Sequence, residues 1–435
     1  MGTRLFGAIT IAWLSLLSGA ALAGGTDADR LEILRKVAVA ACQAGLEEDN
    51  AVSEALPGTV ESVRDRGTIN GRLRRQIDLR LSASRMVRVQ VDGFRGRLRR
   101  VRVEMSEPAG TALEQGRALP RALVDLDNAC AVRHGRSIAY DATGRPDVLR
   151  HFDHTLSAIG PAEELNPAVP AGDDPGGVTV GLIDSGVNYL LPEIGKRLAR
   201  RADGSLMGYD YWDEDDRPFD LDTGRSPFFP IRHGTTVASV FLREAPRARL
   251  VPYRYPRPDM RRMGTLVETA AKDEVFIVMM PLGSRTESQW EEFASAARRH
   301  PDMLFVVSAG NDGRDIDRQP LYPAGFGLEN VLVVTSSDAF GRLAEGSNWG
   351  RDTVHIMAPG ERIDVTDHRG AAGKASGSSF AVPRVAALAA RLAAQHPDWR
   401  AAELMAAIRG RTARSLERSG PKTRWGWIPN PVDDG

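Results

Sequence analysis

Cysteine is almost missing: only Cys42 and Cys130 occur in a chain of 435 residues. That scarcity excludes a disulfide-built scaffold and a cysteine-rich zinc site. The two thiols either pair in an oxidising compartment or stay buried and free, and the sequence leaves both open. Histidine is scarce too, eight residues in all, and no cluster of them completes a metal site. Excess charge is absent, because 57 Lys and Arg balance 57 Asp and Glu. Net charge therefore favours neither a nucleic-acid partner nor a membrane surface. Beyond the N-terminus no apolar run is long enough to span a bilayer.

What is present begins with "MGTRLFGAITIAWLSLLSGAALAGG". Arg4, a short apolar run and small residues at Ala21 and Ala23 read as a signal peptide over residues 1–23. The expected mature protein is exported, periplasmic or extracellular, with no membrane insertion after signal removal. Residues 24–158 then read as a smaller α+β region. A helical stretch, "DADRLEILRKVAVAACQAGLEE", precedes period-two segments such as "RMVRVQVDG" and "RLRRVRVEM", with Asp92-Gly93 as the turn signal. The arginines of these strands fall on one solvated face, and no aromatic residues interleave with them as in a nucleic-acid surface. Residues 159–177, rich in Pro, Gly and acidic side chains, read as a linker.

From 178 to 435 the grammar changes. "VTVGLID", "RLVPYRY", "VFIVMMPLG", "MLFVVSAGN" and "VLVVTSSD" are continuous apolar strands, separated by helix-like segments such as "RMGTLVETAAKD" and "SQWEEFASAARRH". Runs buried on both faces imply a mostly parallel sheet between helices, an α/β three-layer fold with its ligand site at the strand carboxyl ends. After the last helix no further domain is expected.

Four polar residues stand at such ends or at helix starts. Asp184 closes "GLID", His233 opens "HGTTVAS", Asn311 follows "VVSAG", and Ser379 begins the helix of "SGSSFAVP". A helix-start serine is most often a cap. A cap, however, gives no reason for a base and a carboxylate elsewhere in matching settings. Acyl transfer needs this set: a hydroxyl, an imidazole to take its proton, a carboxylate to fix the imidazole tautomer, and a donor for the oxyanion.

On "DSGV", "HGTTVAS", "SAGND", "SNWG" and "SGSSFAVP", in Asp, His, Ser order, the chain resembles the subtilisin-like serine peptidases over roughly Gly177 to Asn430. The resemblance implies Asp184 as orienting acid, His233 as general base, Ser379 as nucleophile and Asn311 as oxyanion donor, with polypeptides as substrates and no cofactor for catalysis. It also implies that Pro281, Leu282, Gly283, Ser308, Ala309 and Gly310 line the substrate. Pro383 matches as well, read as lying in the first turn of the Ser379 helix.

Thr236 and Phe380 depart from the family pattern without touching proton chemistry. Met279 and Pro281 replace the usual Asn and Ser of the substrate strand, so the side-chain preference is not carried over. Relatives are often stabilised by calcium, and the acidic stretch "YDYWDEDDRPFDLD" offers Asp213, Asp215 and Asp220 as ligands. Its alternative is a solvated acidic loop. His151 and His154 read as a surface pair rather than as ligands. The N-terminal region is read either as a propeptide or as a lasting accessory domain. Two rivals remain: a catalytically silent binding module of the same fold, and an esterase, whose Gly-x-Ser-x-Gly elbow and residue order are absent. Oligomeric state is not legible.

Overall fold

The structure, a computed structural model, describes residues 25–46, 58–69, 71–109, 118–415 and 420–432. The segment read as a signal peptide lies outside the described residues. Two compact units result, Met1–Glu163 and Glu164–Gly435. Among the described residues no helix is long and apolar enough to cross a membrane.

In the first unit Thr26 caps helix α1 (Asp27–Ala44), accepting from the Asp29 amide while the Asp29 carboxylate returns to the Thr26 amide. Strands β1 (Thr59–Ile69), β2 (Arg72–Ser82), β3 (Arg85–Phe94), β4 (Arg97–Pro108), β5 (Ala118–Leu126), β6 (Val132–Tyr140) and β7 (Pro146–Phe152) follow as an antiparallel meander in sequence order. Their period-two apolar residues, among them Val87, Val89, Val101 and Val103, form a core with Leu31, Leu34 and Val37 of α1. Cys42 and Cys130 form a disulfide that joins the last turn of α1 to the β5–β6 turn. The expected turn at Asp92-Gly93 is corrected. The chain reverses at Arg95-Gly96, both at positive φ, while Gly93 stays within β3 at a register shift. Leu46 packs where a Gly93 side chain would stand, so this glycine serves packing and a bulge rather than a turn.

The second unit is built on β8 (Val178–Asp184), α2 (Gly234–Glu244), β9 (Ala248–Arg254), α3 (Met263–Lys272), β10 (Ile277–Met280), α4 (Glu291–Arg299), β11 (Leu304–Ser308), β12 (Val331–Ser337) and β13 (Ile356–Pro359). A hairpin, β14 (Ile363–Thr366) with β15 (Ala372–Ala375), leads into α5 (Ser378–Gln395) and α6 (Ala401–Gly410). The sheet runs β9, β8, β10, β11, β12, β13, every neighbouring pair parallel. Two-residue strands Tyr209–Asp210 and Gly426–Trp427 finish its edges.

Side chains alternate across this sheet, which is why its strands read as unbroken apolar runs. Leu182, Met279, Val306 and Val334 meet α2, α5 and α6 on one face. Ile183, Val278, Val307 and Val333 meet α3 and α4 on the other. From β8 the chain steps to β9 on one side and then returns to β10 on the other. That reversal makes the carboxyl end of β8, where Asp184 stands, the topological switch point at which such sheets bind ligands.

Residues 164–177, expected within a linker, belong to the second unit. Leu165 is fully buried, the Pro167 carbonyl accepts from the Tyr189 hydroxyl, and Asp174 accepts from Arg249 and from the Arg200 amide. Pro and Gly density marks an irregular path here, not a free one.

Candidate active site

His233 stands immediately before α2. A side chain at Gly234 would meet the Gly186 carbonyl at 2.0 Å, so only glycine lets this helix start against the tip of β8. The first amides of the helix need acceptors. Ser185 Oγ accepts from the amides of His233 at 3.1 Å and Gly234 at 2.9 Å, and Asp220 Oδ2 accepts from Thr235 at 3.0 Å. The single Ser185 hydroxyl proton goes to Asp220 Oδ1 at 2.6 Å.

His233 Nδ1 lies 2.9 and 2.8 Å from the two carboxylate oxygens of the buried Asp184. A carboxylate only accepts, so Nδ1 carries the proton and Nε2 presents its lone pair. Burial disfavours the charged ring. Nevertheless Asp184, and more distantly Asp220, hold the His233 pKa above its ordinary 6.5.

Ser379 is the second residue of α5, and its hydroxyl donates to the Pro281 carbonyl at 3.4 Å rather than to His233. The neighbouring Phe380 ring lies 6.1 Å from the His233 ring, which sets the start of α5 beside the imidazole. Gly377, at φ 133°, precedes the helix. Asn311 Oδ1 accepts from both the amide and the hydroxyl of Ser378, each at 2.9 Å. With its oxygen so held, the Asn311 amide nitrogen is the free end, and it donates to no group among the described residues. Ser308 Oγ donates to Ser378 Oγ at 2.7 Å and accepts from the Gly310 amide at 2.9 Å. Ser308 ends β11 and Ala309 and Gly310 follow it, while Pro281, Leu282 and Gly283 follow the adjacent β10. Pro383 is the sixth residue of α5, not part of its first turn, and its missing N–H deprives the Ser379 carbonyl of a helical donor.

The acidic stretch does not converge. Asp213 and Asp210 pair with Arg254, Asp215 with Arg217 and Asn166, Glu214 with Arg262, and Asp222 accepts from Tyr255. Asp220, fully buried, faces Ser185, Thr235 and His368. No group of three His, Cys, Asp or Glu side chains among the described residues could hold a metal ion. Asp213, Asp215 and Asp220 therefore do not fit the expected calcium ligand set. Burial would raise the Asp220 carboxyl, but His368, Ser185 and Thr235 hold it below the usual carboxylate range.

Sequence reasoning missed Ser185 and misread Asp220. Ser185 adjoins Asp184 in "DSG", which is its only sequence signal; Asp220 carries none, because its partners are far along the chain. His151 and His154 do not form a ligand pair: His151 faces Glu163 at 3.4 Å, and His154 is exposed.

Residues 176–427 match the family model described as "Subtilase family". The chain is similar to a thermophilic serine proteinase of Bacillus sp. strain AK1, 31% identical over 236 residues, covering 50% of this chain and 53% of that protein. It is also similar to a thermostable alkaline protease of Halalkalibacterium halodurans, 32% identical over 133 residues, covering 31% of this chain and 35% of the relative. Thus the chain spans about half the length of the first relative and about a third of the second. Among solved structures, that of a cold adapted subtilisin-like serine proteinase is 22% identical, with a TM-score of 0.47 over 59% of this chain and 91% of the other.

Proposed function

This chain belongs to the subtilase family, and from that premise we propose that it is an exported serine endopeptidase acting on polypeptides. The observation that carries the reading is the Asp184–His233 pair, which leaves Nε2 unprotonated beside the helix whose second residue is Ser379. In the reaction His233 Nε2 takes the proton of Ser379, whose oxygen leaves the Pro281 carbonyl and attacks the peptide carbon. Asp184 keeps the Nδ1 proton in place and stabilises the imidazolium. The Asn311 amide nitrogen donates to the oxyanion, joined by the Ser379 backbone N–H, which as a first-turn amide has no intrahelical acceptor. His233 then gives its proton to the leaving amine, and water repeats the sequence on the acyl-enzyme.

None of these steps calls for a cofactor or a nucleic acid. Substrate aligns along Pro281, Leu282 and Gly283 on one side and Ser308, Ala309 and Gly310 on the other. Pro281 offers a carbonyl there but no N–H.

Wild type and Ser379→Ala, expressed with residues 1–23 intact, test the reading by turnover of an unfolded polypeptide, thermal melting and intact mass. The expected variant melts like wild type and has no turnover, since only an oxygen is removed. A fully active Ser379→Ala overturns the assignment. Loss of the N-terminal unit in wild type alone makes that unit a self-removed propeptide, and retention in both makes it an accessory domain.

A further inference from the structure

Asn311 sits on a loop that its own side chain ties to the start of α5 only through Oδ1, leaving the backbone to be held by others. Ala309 still donates its amide to the Val334 carbonyl of β12, but residues 310–314 have no regular partner strand, and Gly310 takes φ +91°. Backbone groups of such a loop need partners when buried. One residue supplies four of them. Asn348, 1% exposed, donates from Nδ2 to the Ala309 carbonyl at 2.8 Å. Its Oδ1 accepts from the amides of Asp312 and Arg314, each at 2.9 Å. Its own amide donates to the Gly310 carbonyl at 3.0 Å. Asn348 thereby holds the peptide groups on both sides of Asn311.

The segment around Asn348 reinforces the grip. The Gly313 amide donates to the Gly346 carbonyl, and the Trp349 amide to the Arg314 carbonyl, both at 2.8 Å. Asn348 is itself anchored, because its carbonyl accepts from the Thr335 hydroxyl on β12. Geometry also explains Gly310: a side chain there would meet Asn348 Nδ2 at 2.6 Å.

Few side chains could do this. One planar amide presents a donor to residue 309 and an acceptor to residues 312 and 314. Aspartate keeps the acceptor but sets an oxygen against the Ala309 carbonyl, and alanine keeps neither. Leaving the buried Ala309 carbonyl and the part-buried amides of Asp312 and Arg314 without these partners would let the loop shift, and oxyanion stabilisation depends on a donor fixed in advance.

We propose that Asn348 is a positioning residue, which holds the 309–314 loop so that the free amide nitrogen of Asn311 stays aimed at the developing oxyanion. The proposal rests on the serine peptidase reading above. Asn348 touches no substrate and acts only through Asn311.

The test compares wild type, Asn311→Ala, Asn348→Asp, Asn348→Ala and the double variant Asn311→Ala/Asn348→Asp. It measures kcat, KM and the affinity for a peptide aldehyde that forms a tetrahedral adduct. Asn311→Ala should lower kcat by about 100- to 1000-fold. Asn348→Asp should lower kcat by roughly 10-fold or more with KM within about twofold, and weaken aldehyde binding by the same factor. The double variant should be no slower than Asn311→Ala alone, because the loop has then no donor left to position. Asn348→Asp retains both acceptor bonds and carries the test if Asn348→Ala fails to fold. If the two kcat losses multiply, or Asn348→Asp raises KM alone, Asn348 is only structural and the proposal falls. If Asn311→Ala is slow while the Asn348 variants match wild type, this inference falls by itself. An inactive wild type, or an Asn311→Ala variant as fast as wild type, defeats the peptidase reading and this one with it.

Discussion

Two carboxylates lie near His233, and they differ in what they touch. Asp184 meets the ring, whereas Asp220 meets the first helical turn and the Ser185 hydroxyl. The first sets the tautomer and the second fixes where the ring begins. A protonated His233 cannot take the Ser379 proton, so kcat/KM should rise with pH and reach half its plateau above 6.5, the ordinary value of the ring. Asp184→Asn removes the charge that holds the pKa up against burial. Its pH–rate midpoint should therefore fall below that of wild type, and kcat should drop by about 10⁴-fold. A midpoint unmoved in Asp184→Asn would deny this role to Asp184. Because Asp213, Asp215 and Asp220 have separate protein partners, treatment with a calcium chelator should leave the melting temperature and activity unchanged. A chelator-induced fall in melting temperature would reveal a site these partners do not account for.

At the scale of elements, the helices bearing His233 and Ser379 are joined far from the chemistry. Arg384 of α5 reaches Glu244, the last residue of α2, at 2.9 and 3.1 Å, and also donates to the Pro359 carbonyl. Both side chains are buried. Glu244→Gln leaves a buried guanidinium short of its counter-charge and should lower unfolding stability by about 3 to 5 kcal/mol in urea titrations. The paired replacement Glu244→Leu/Arg384→Met should recover much of that loss. An unchanged midpoint for Glu244→Gln would mean that solvent reaches the pair.

Elements were legible in proportion to how local their causes are. The strands of the second unit could be read because burial on both faces writes unbroken apolar runs. Asp184, His233 and Ser379 could be singled out because strand tips and helix starts carry local marks. Asp92-Gly93 misled because the same dipeptide serves a turn or a bulge, and only the packing of Leu46 decides. Asp220 and Asn348 were illegible as to role, since their partners lie tens of residues away and chain order says nothing about which amides need acceptors.

Across the whole molecule, one buried group outside the site should weaken the fold in mild acid. His355, packed 4.7 Å from the Trp425 ring, accepts the Val333 amide at Nδ1 at 3.0 Å, and burial, aided by Arg424, pushes its pKa down to about 4. The unfolded chain binds a proton there below about 6.5, while the folded chain resists until about 4. Its stabilisation is thus complete above the upper value and lost progressively as pH falls towards the lower one. The loss should approach roughly 3 kcal/mol. Urea midpoints over this range should fall less steeply for His355→Gln than for wild type, and parallel slopes would dismiss His355 as the cause.

The segment 164–177 also fixes where the second unit can be cut free. A shortened gene starting at Val178 would strip Tyr189, Arg200 and Arg249 of acceptors that Pro167, Pro170 and Asp174 now provide. For the buried Tyr189 and Arg200, each orphaned donor costs about 1 to 3 kcal/mol. A fragment that keeps these partners and the buried Leu165 therefore starts no later than Leu165, with the first strand of its sheet still more than a dozen residues downstream.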